Sequence, residues 1–187
     1  MYDTSDFRKG LKILIDKSPW QIVEFQHVKP GKGGAFVRTR IKKLSTAQVI
    51  DRTFRSGDKV GVPDIEDVDA QYLYADGTDF HFMNTETYDT FTVPAEVVGS
   101  TSNYLIENEN LSILIFEGKA IDIQLPNFIV ANITVCEPGV AGNTAQGATK
   151  PVTIETGYQL QVPLYIQETD RLKIDTRDGK YVERVKD

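Results

Sequence analysis

The sequence predicts an all-β protein assembled from small closed barrels. Three observations carry that prediction: apolar alternation of period two along the chain, glycine-bearing turn pairs between the alternating runs, and charge gathered into blocks. Alternation at residues 11–15, 21–25, 35–41 and 49–54 places every second side chain on one face, as a half-buried strand requires. Further strands are expected at 70–74, 79–83, 111–116, 119–125, 128–135, 152–155, 159–165, 171–175 and 181–185. Asp76-Gly77, Glu117-Gly118 and Asp178-Gly179 mark turns, the last flanked by strand-like runs as in a tight hairpin. One stretch, 94–107, reads as helical, with Pro94 in its first turn and Gly99 and Ser100 interrupting it.

Short strands spaced by about 8 to 12 residues fit several small barrels better than one large sandwich, because closure removes the exposed edges that invite aggregation. Breaks are expected near Pro63 and Asn127, the second beside Pro126, which interrupts strand pairing. The expected domains are therefore 1–63, 64–127 and 128–187. Each is near the size at which a single core folds alone with small margin.

Net charge is −6, from 21 Lys/Arg against 27 Asp/Glu, which taken as an average argues against a nucleic-acid partner. The average conceals segregation. Residues 1–63 hold 13 Lys/Arg against 6 Asp/Glu, 64–127 hold 1 against 13, and 128–187 hold 7 against 8. Screening over about 8 Å lets a basic end meet RNA while an acidic middle stays off it; the simpler alternative is a solvated acidic surface. No apolar run exceeds four residues, against the roughly 20 that cross a bilayer, and the first residues lack signal-peptide character, so a cytosolic protein with no membrane partner is expected. A single cysteine, Cys136, excludes an internal disulfide and a cysteine-rich zinc module.

Enzyme chemistry finds little to work with. The two histidines, His27 and His81, are far apart in sequence and read as structural or surface groups, and no Gly-x-Ser-x-Gly elbow occurs. The acidic run Asp64, Glu66, Asp67, Asp69 lacks the glycine and spacing of a calcium loop and reads as a solvated strand or linker face. The expectation is a protein that is not an enzyme and holds no metal or cofactor.

The tip Lys29-Pro30-Gly31-Lys32-Gly33-Gly34 lies between two strand-like segments and reads as a long hairpin loop. It is no P-loop, because Gln26 stands where a glycine is needed, Gly33 where Ser or Thr would hold magnesium, and no helix follows. Proline and glycine strip side chains from both flanks of Lys32, leaving one cationic arm that can enter a crevice or be covalently lengthened. Composition alone favours an ordinary solubilising loop. Behind the tip, alternation puts Arg38, Arg40 and Lys42 on one face, where a phosphate backbone can lie. A second loop, 138–150, is the longest stretch of small residues in the chain. Its amides can approach RNA closely, with Asn143 and Thr144 bonding to base or sugar edges, unless it is only a linker.

Across nearly its whole length the chain resembles the bacterial elongation factor P family. The resemblance is carried by Asp6 through Ile13, by Val28-Lys29-Pro30-Gly31-Lys32-Gly33, by Tyr72-Leu73-Tyr74 and His81-Phe82-Met83-Asn84, and by Val182 through Lys186. A signature of the third segment is matched through Lys150, Gly157, Leu160, Val162 and Pro163, with Val152 in place of its alanine and Thr169 in place of its final glycine. Gly142-Asn143-Thr144-Ala145 is similar to the family's Gly-Asp-Thr-Ala, with Asn143 removing a carboxylate.

The resemblance implies an SH3-like (KOW-like) barrel followed by two OB-folds in an elongated L. It implies a factor bound between the peptidyl-tRNA and exit sites of the ribosome, touching both subunits and promoting peptide bonds at consecutive prolines. Lys32 corresponds to the residue lengthened by a lysine-modifying enzyme, and Lys29, Pro30, Gly31, Gly33, Arg38, Arg40 and Lys42 to the surface against tRNA and ribosomal RNA. The loop Gly142, Asn143, Thr144, Ala145 would face the small subunit and the exit-site codon, and Tyr181 and Arg184 match functional residues near the C-terminus. A monomer is expected. The rival readings are a P-like paralogue, which commonly lacks the tip lysine; the two-domain archaeal and eukaryotic relative, which has no third barrel; and a general single-stranded RNA-binding OB protein.

Overall fold

The computed structural model describes residues 1–138 and 148–185. Strands dominate it. The first segment contains β1 (Tyr2–Asp3), β2 (Lys12–Ile15), β3 (Ser18–Val28), β4 (Phe36–Lys43), β5 (Val49–Arg55) and β6 (Lys59–Val60). Then come β7 (Ile65–Ala75), β8 (Asp79–Asn84), β9 (Thr90–Pro94), a one-turn helix α1 (Ala95–Val98), β10 (Asn110–Phe116) and β11 (Lys119–Gln124). The last segment contains β12 (Phe128–Cys136), β13 (Thr149–Ile154), β14 (Gln159–Pro163), β15 (Arg171–Asp175) and β16 (Lys180–Val185). The sheets run β1-β6, β2-β3-β4-β5, β11-β10-β7-β8-β9 and β14-β13-β12-β15-β16. The protein is thus all-β, and among the described residues no helix is long and apolar enough to cross a membrane.

The chain divides into two compact units, Met1–Asp67 with Leu114–Asp122, and Val68–Ile113 with Ile123–Asp187. In the first, period-two alternation sends Ile13, Ile15, Ile22, Val37, Ile41 and Phe54 into one apolar core with Phe7, Trp20 and Val60. Full burial of each such side chain contributes roughly 1.5–3 kcal/mol. Thr39 is buried on the same inward row of β4, and its hydroxyl donates to the Arg52 carbonyl at 2.7 Å, so the polar atom is satisfied. In the second unit, Ile129, Ala131, Val152, Ile154, Leu160, Val162, Leu172 and Ile174 form the corresponding core, with Tyr104 and Ile106 packed against it.

Two features differ from the sequence expectation. The helix expected over 94–107 is only α1 followed by a 3₁₀ stretch, Gly99–Tyr104. Gly99 adopts φ +51° and ψ −136°, which ends the α-helix, and Leu105 is already extended. The Asp178-Gly179 turn is a longer connection than a two-residue hairpin, since the last ladder pair is Asp175↔Lys180. A two-residue connection does occur at Asp16-Lys17, between paired Ile15 and Ser18, with φ of 48° and 60° and no glycine. Nothing in its composition announced it.

Asp64 precedes β7, and Glu66, Asp67 and Asp69 lie exposed along it, where Asp67 pairs with Lys12 at 3.7 Å. Both expected departures from the family signature are absorbed locally. Val152 is buried in the β13 core, and Thr169 sits in a turn closed by Asp170 N donating to Gln167 O, without a positive φ that would demand glycine.

Candidate functional site

The arm that carries Lys32 is built by β3 and β4. Their ladder shifts register between Ile22 and Glu24, leaving Val23 as a bulge. A bulge adds twist and bends its strand; beyond this one, residues 24–27 are all exposed, so the arm stands clear of the barrel core. Pairing nevertheless continues through Val28↔Phe36, holding the base of the loop. Phe25 and His27 brace one side, with ring centroids 5.7 Å apart and edge to face.

Lys29, Pro30, Gly31, Lys32 and Gly33 are all exposed, and Lys32 has no hydrogen bond or ion pair among the described residues. The glycines play different parts. Gly33 has φ +109°, a conformation that side chains resist, whereas a Cβ on Gly31 or Gly34 meets nothing within 4 Å. Gly33 therefore shapes the tip, while Gly31 and Gly34 serve by their lack of bulk.

Below the tip, β3, β4 and β5 form an open groove lined by Glu24, Phe25, Gln26, Arg38, Thr39, Arg40, Asp51, Arg52 and Thr53. The three cations expected on one face of β4 are not equivalent. Arg38 stacks over Phe36, its guanidinium carbon 5.5 Å from the ring centroid, and makes no ion pair among the described residues. Arg40 is held by Asp51 at 3.1 Å and Glu24 at 3.6 Å; the hydrogen bond to Asp51, then the charges of Asp51 and Glu24, push its pKa further up. Lys42 shares the face by alternation but does not line the groove. Arg52, paired with Asp16 at 3.6 Å, also lines the groove from β5, on the face of Thr39, its ladder partner, rather than that of Arg38 and Arg40. The sequence offered no signal for Arg52 or Phe25, because their place in the groove depends on strand register.

At the other candidate position, Tyr181 and Arg184 of β16 converge on one residue, Tyr165. The Tyr165 and Tyr181 hydroxyls are 3.1 Å apart, and the Arg184 guanidinium carbon lies 5.9 Å from the Tyr165 ring centroid. Arg184 is anchored by Asp170 at 3.6 Å, whose Oδ2 also accepts from Gln167 N at 2.8 Å. Tyr165 is itself 61% exposed, so it presents an aromatic face steadied from two sides. Gly142, Asn143, Thr144 and Ala145 lie outside the described residues.

Each histidine is engaged by an aromatic neighbour, His27 by Phe25 and His81 by Tyr74. His81 Nε2 is 2.8 Å from Asp76 Oδ2, with its ring stacked on Tyr74 at 4.4 Å. That bond, joined by the backbone N–H groups of Asp79 and Thr78, holds the Asp76 carboxyl well below its usual range. The group closes the turn between β7 and β8. No cluster of three or more potential metal ligands occurs among the described residues.

Comparison with known proteins gives this arrangement its family. The elongation factor P of Leifsonia xyli subsp. xyli is 46% identical over 187 residues, covering 100% of both chains. The chain belongs to the elongation factor P family. The family models agree in order: "Elongation factor P (EF-P) KOW-like domain" matches residues 3–60, the "OB domain" 65–123, and "Elongation factor P, C-terminal" 129–184. The elongation factor P of Maridesulfovibrio salexigens is 47% identical over 186 residues, again covering 100% of each chain. Among solved structures, one titled "Eukaryotic translation initiation factor 5A from Methanococcus jannaschii" superposes with a TM-score of 0.55 at 24% identity. It covers 66% of this chain and 90% of its own length, a likeness of fold. The protein is accordingly a translation elongation factor with KOW-like and OB domains.

Proposed function

We propose that this elongation factor binds the ribosome between the peptidyl-tRNA and exit sites and speeds peptide-bond formation at consecutive prolines. One observation carries the reading: Lys32 stands exposed at the end of a strand-braced arm, with no partner among the described residues to hold it back. In this reading residues 1–63, 64–127 and 128–187 are the three domains of a monomer working in the cytoplasm. Lys29, Pro30, Gly31, Gly33, Arg38, Arg40 and Lys42 meet tRNA and ribosomal RNA. A separate enzyme lengthens Lys32. Gly142, Asn143, Thr144 and Ala145 face the small subunit at the exit-site codon, and Tyr181 and Arg184 contact the ribosome from the third domain.

The mechanism asks no acid or base of the protein, which is not itself an enzyme in this reading. Proline is a poorly shaped donor and acceptor, so a stalled pair spends little time in attack geometry. A cationic arm lying along the tRNA acceptor end restrains its motion and recovers part of that orientational loss. The ribosome supplies the reacting centre.

The test is reconstituted translation of a template encoding consecutive prolines. Lys32→Ala should lose most of the stimulation while its unfolding free energy stays within about 0.5 kcal/mol of the parent, since the side chain is exposed. Equal synthesis with parent and variant overturns the reading.

A further inference from the structure

Within the second unit a pocket of about 440 Å³ opens between β7, β8, the segment after the 3₁₀ turn and the β13–β14 turn. This size is in the range of small-ligand sites. Its apolar wall is formed by Tyr72 and Phe80, with ring centroids 6.2 Å apart, and its rim carries Glu107 and Glu155. Tyr72 is only 7% exposed, its ring set against those of Phe80 and Phe82. Burial, and then the charge of Glu107, keep its hydroxyl protonated by raising its pKa.

The remaining polar groups are one-sided. Glu155 Oε1 accepts from the Asn132 backbone N–H at 2.8 Å and side-chain amide at 3.1 Å, which orients the carboxylate. Ser102 donates its hydroxyl proton to Gly99 O at 2.9 Å, and Thr156 donates its own to Asn103 O at 2.7 Å. Both hydroxyls therefore have only lone pairs left to offer a ligand. Neither Glu107 nor Glu155 is ion-paired with a described cation, and Lys119 is the one Lys or Arg in residues 64–127. Two carboxylates, acceptor hydroxyls and aromatic faces together suit a group that donates several hydrogen bonds, carries positive charge and tolerates a ring beside it.

We propose that this pocket binds an organic cation, a guanidinium or primary ammonium group. The group can arrive on an arginine or lysine side chain of a partner protein or as a free polyamine. The site involves neither Lys32 nor the groove on the first unit, so its test is independent of the role proposed for them.

The full-length protein, labelled with ¹⁵N, is titrated with N-acetyl-arginine amide, with spermidine, and with uncharged N-acetyl-glutamine amide as control. Saturable shifts of the Tyr72, Ser102, Glu107 and Thr156 amides are expected with the cations and not with the control. Glu107→Gln, a change at an exposed side chain, should weaken binding about fivefold, and adding Glu155→Gln should weaken it further. Tighter binding of the arginine amide assigns the group to a protein side chain, and tighter binding of spermidine assigns it to a polyamine; either supports the proposal. Absence of saturable shifts, equal shifts from the uncharged control, or affinity unchanged in Glu107→Gln overturns it.

Discussion

The hydroxyls of Tyr165 and Tyr181 meet at 3.1 Å on the surface of the last barrel, and Arg184 packs over the first of the two rings. The pair links the turn after β14 to the final strand. It also makes Tyr181 a weak acid: burial, then the bond to Tyr165, push its pKa up to about 12 from 10.0.

Because the folded value is raised, the neutral phenol is the form the native state favours. Its stabilisation is fully present below pH 10 and is lost as pH climbs towards 12. Ultraviolet titration should show Tyr181 ionising after the exposed tyrosines. Tyr165→Phe should move that late step to lower pH and cost roughly 0.5 kcal/mol at pH 7, the net worth of one surface hydrogen bond. An unchanged late step in Tyr165→Phe would mean that the pair does not form in solution.

Gly179 is the glycine on which the last barrel depends most. It has φ +71°, and a Cβ there would stand 2.5 Å from both the Tyr104 and Tyr158 hydroxyls. Gly179→Ala should cost about 2–3 kcal/mol through combined backbone strain and displaced rings. Gly31→Ala, with nothing within 4 Å, should leave stability nearly unchanged. Urea unfolding of the two variants beside the parent checks the contrast, and comparable losses would refute it.

The groove on β3, β4 and β5 sets Arg38, which has no ion pair among the described residues, beside the restrained Arg40. Asp51→Asn removes the closer partner of Arg40 and one negative charge from the RNA-facing surface proposed above. Binding to ribosomes should tighten at low salt and become more salt-dependent, since one further cation can replace counterions on phosphate. Arg38→Ala should act in the opposite direction. Cosedimentation across a salt series measures both, and unchanged binding in both variants would exclude this groove as a contact.

Much of this was legible in the sequence. Alternation alone specified which residues of β4 point inward, because a strand has period two whatever it packs against. Proline and glycine around Lys32 announced an exposed tip for the same local reason. Leu105 and Ile106 have the right hydropathy for a helical face, which makes the sequence read as helix to Glu107, yet Leu105 is extended and Ile106 packs against the last barrel's core. Tyr165 gave no sign of its role, since its partners lie 16 and 19 positions ahead and meet it only once β16 is in place.

The sequence by itself therefore determined the strands, their inward and outward faces, the charge blocks and the exposed lysine, all of which are properties of neighbours along the chain. The tertiary structure alone decided that Asp51 and Glu24 restrain Arg40 while Arg38 has no ion pair among the described residues, and that Tyr165 bridges Tyr181 and Arg184. It also turned the hydroxyls of Ser102 and Thr156 into acceptors beside Tyr72. The physical reason is that a side chain's free charge or spare lone pair depends on which distant residue consumes the other, and strand register sets that pairing.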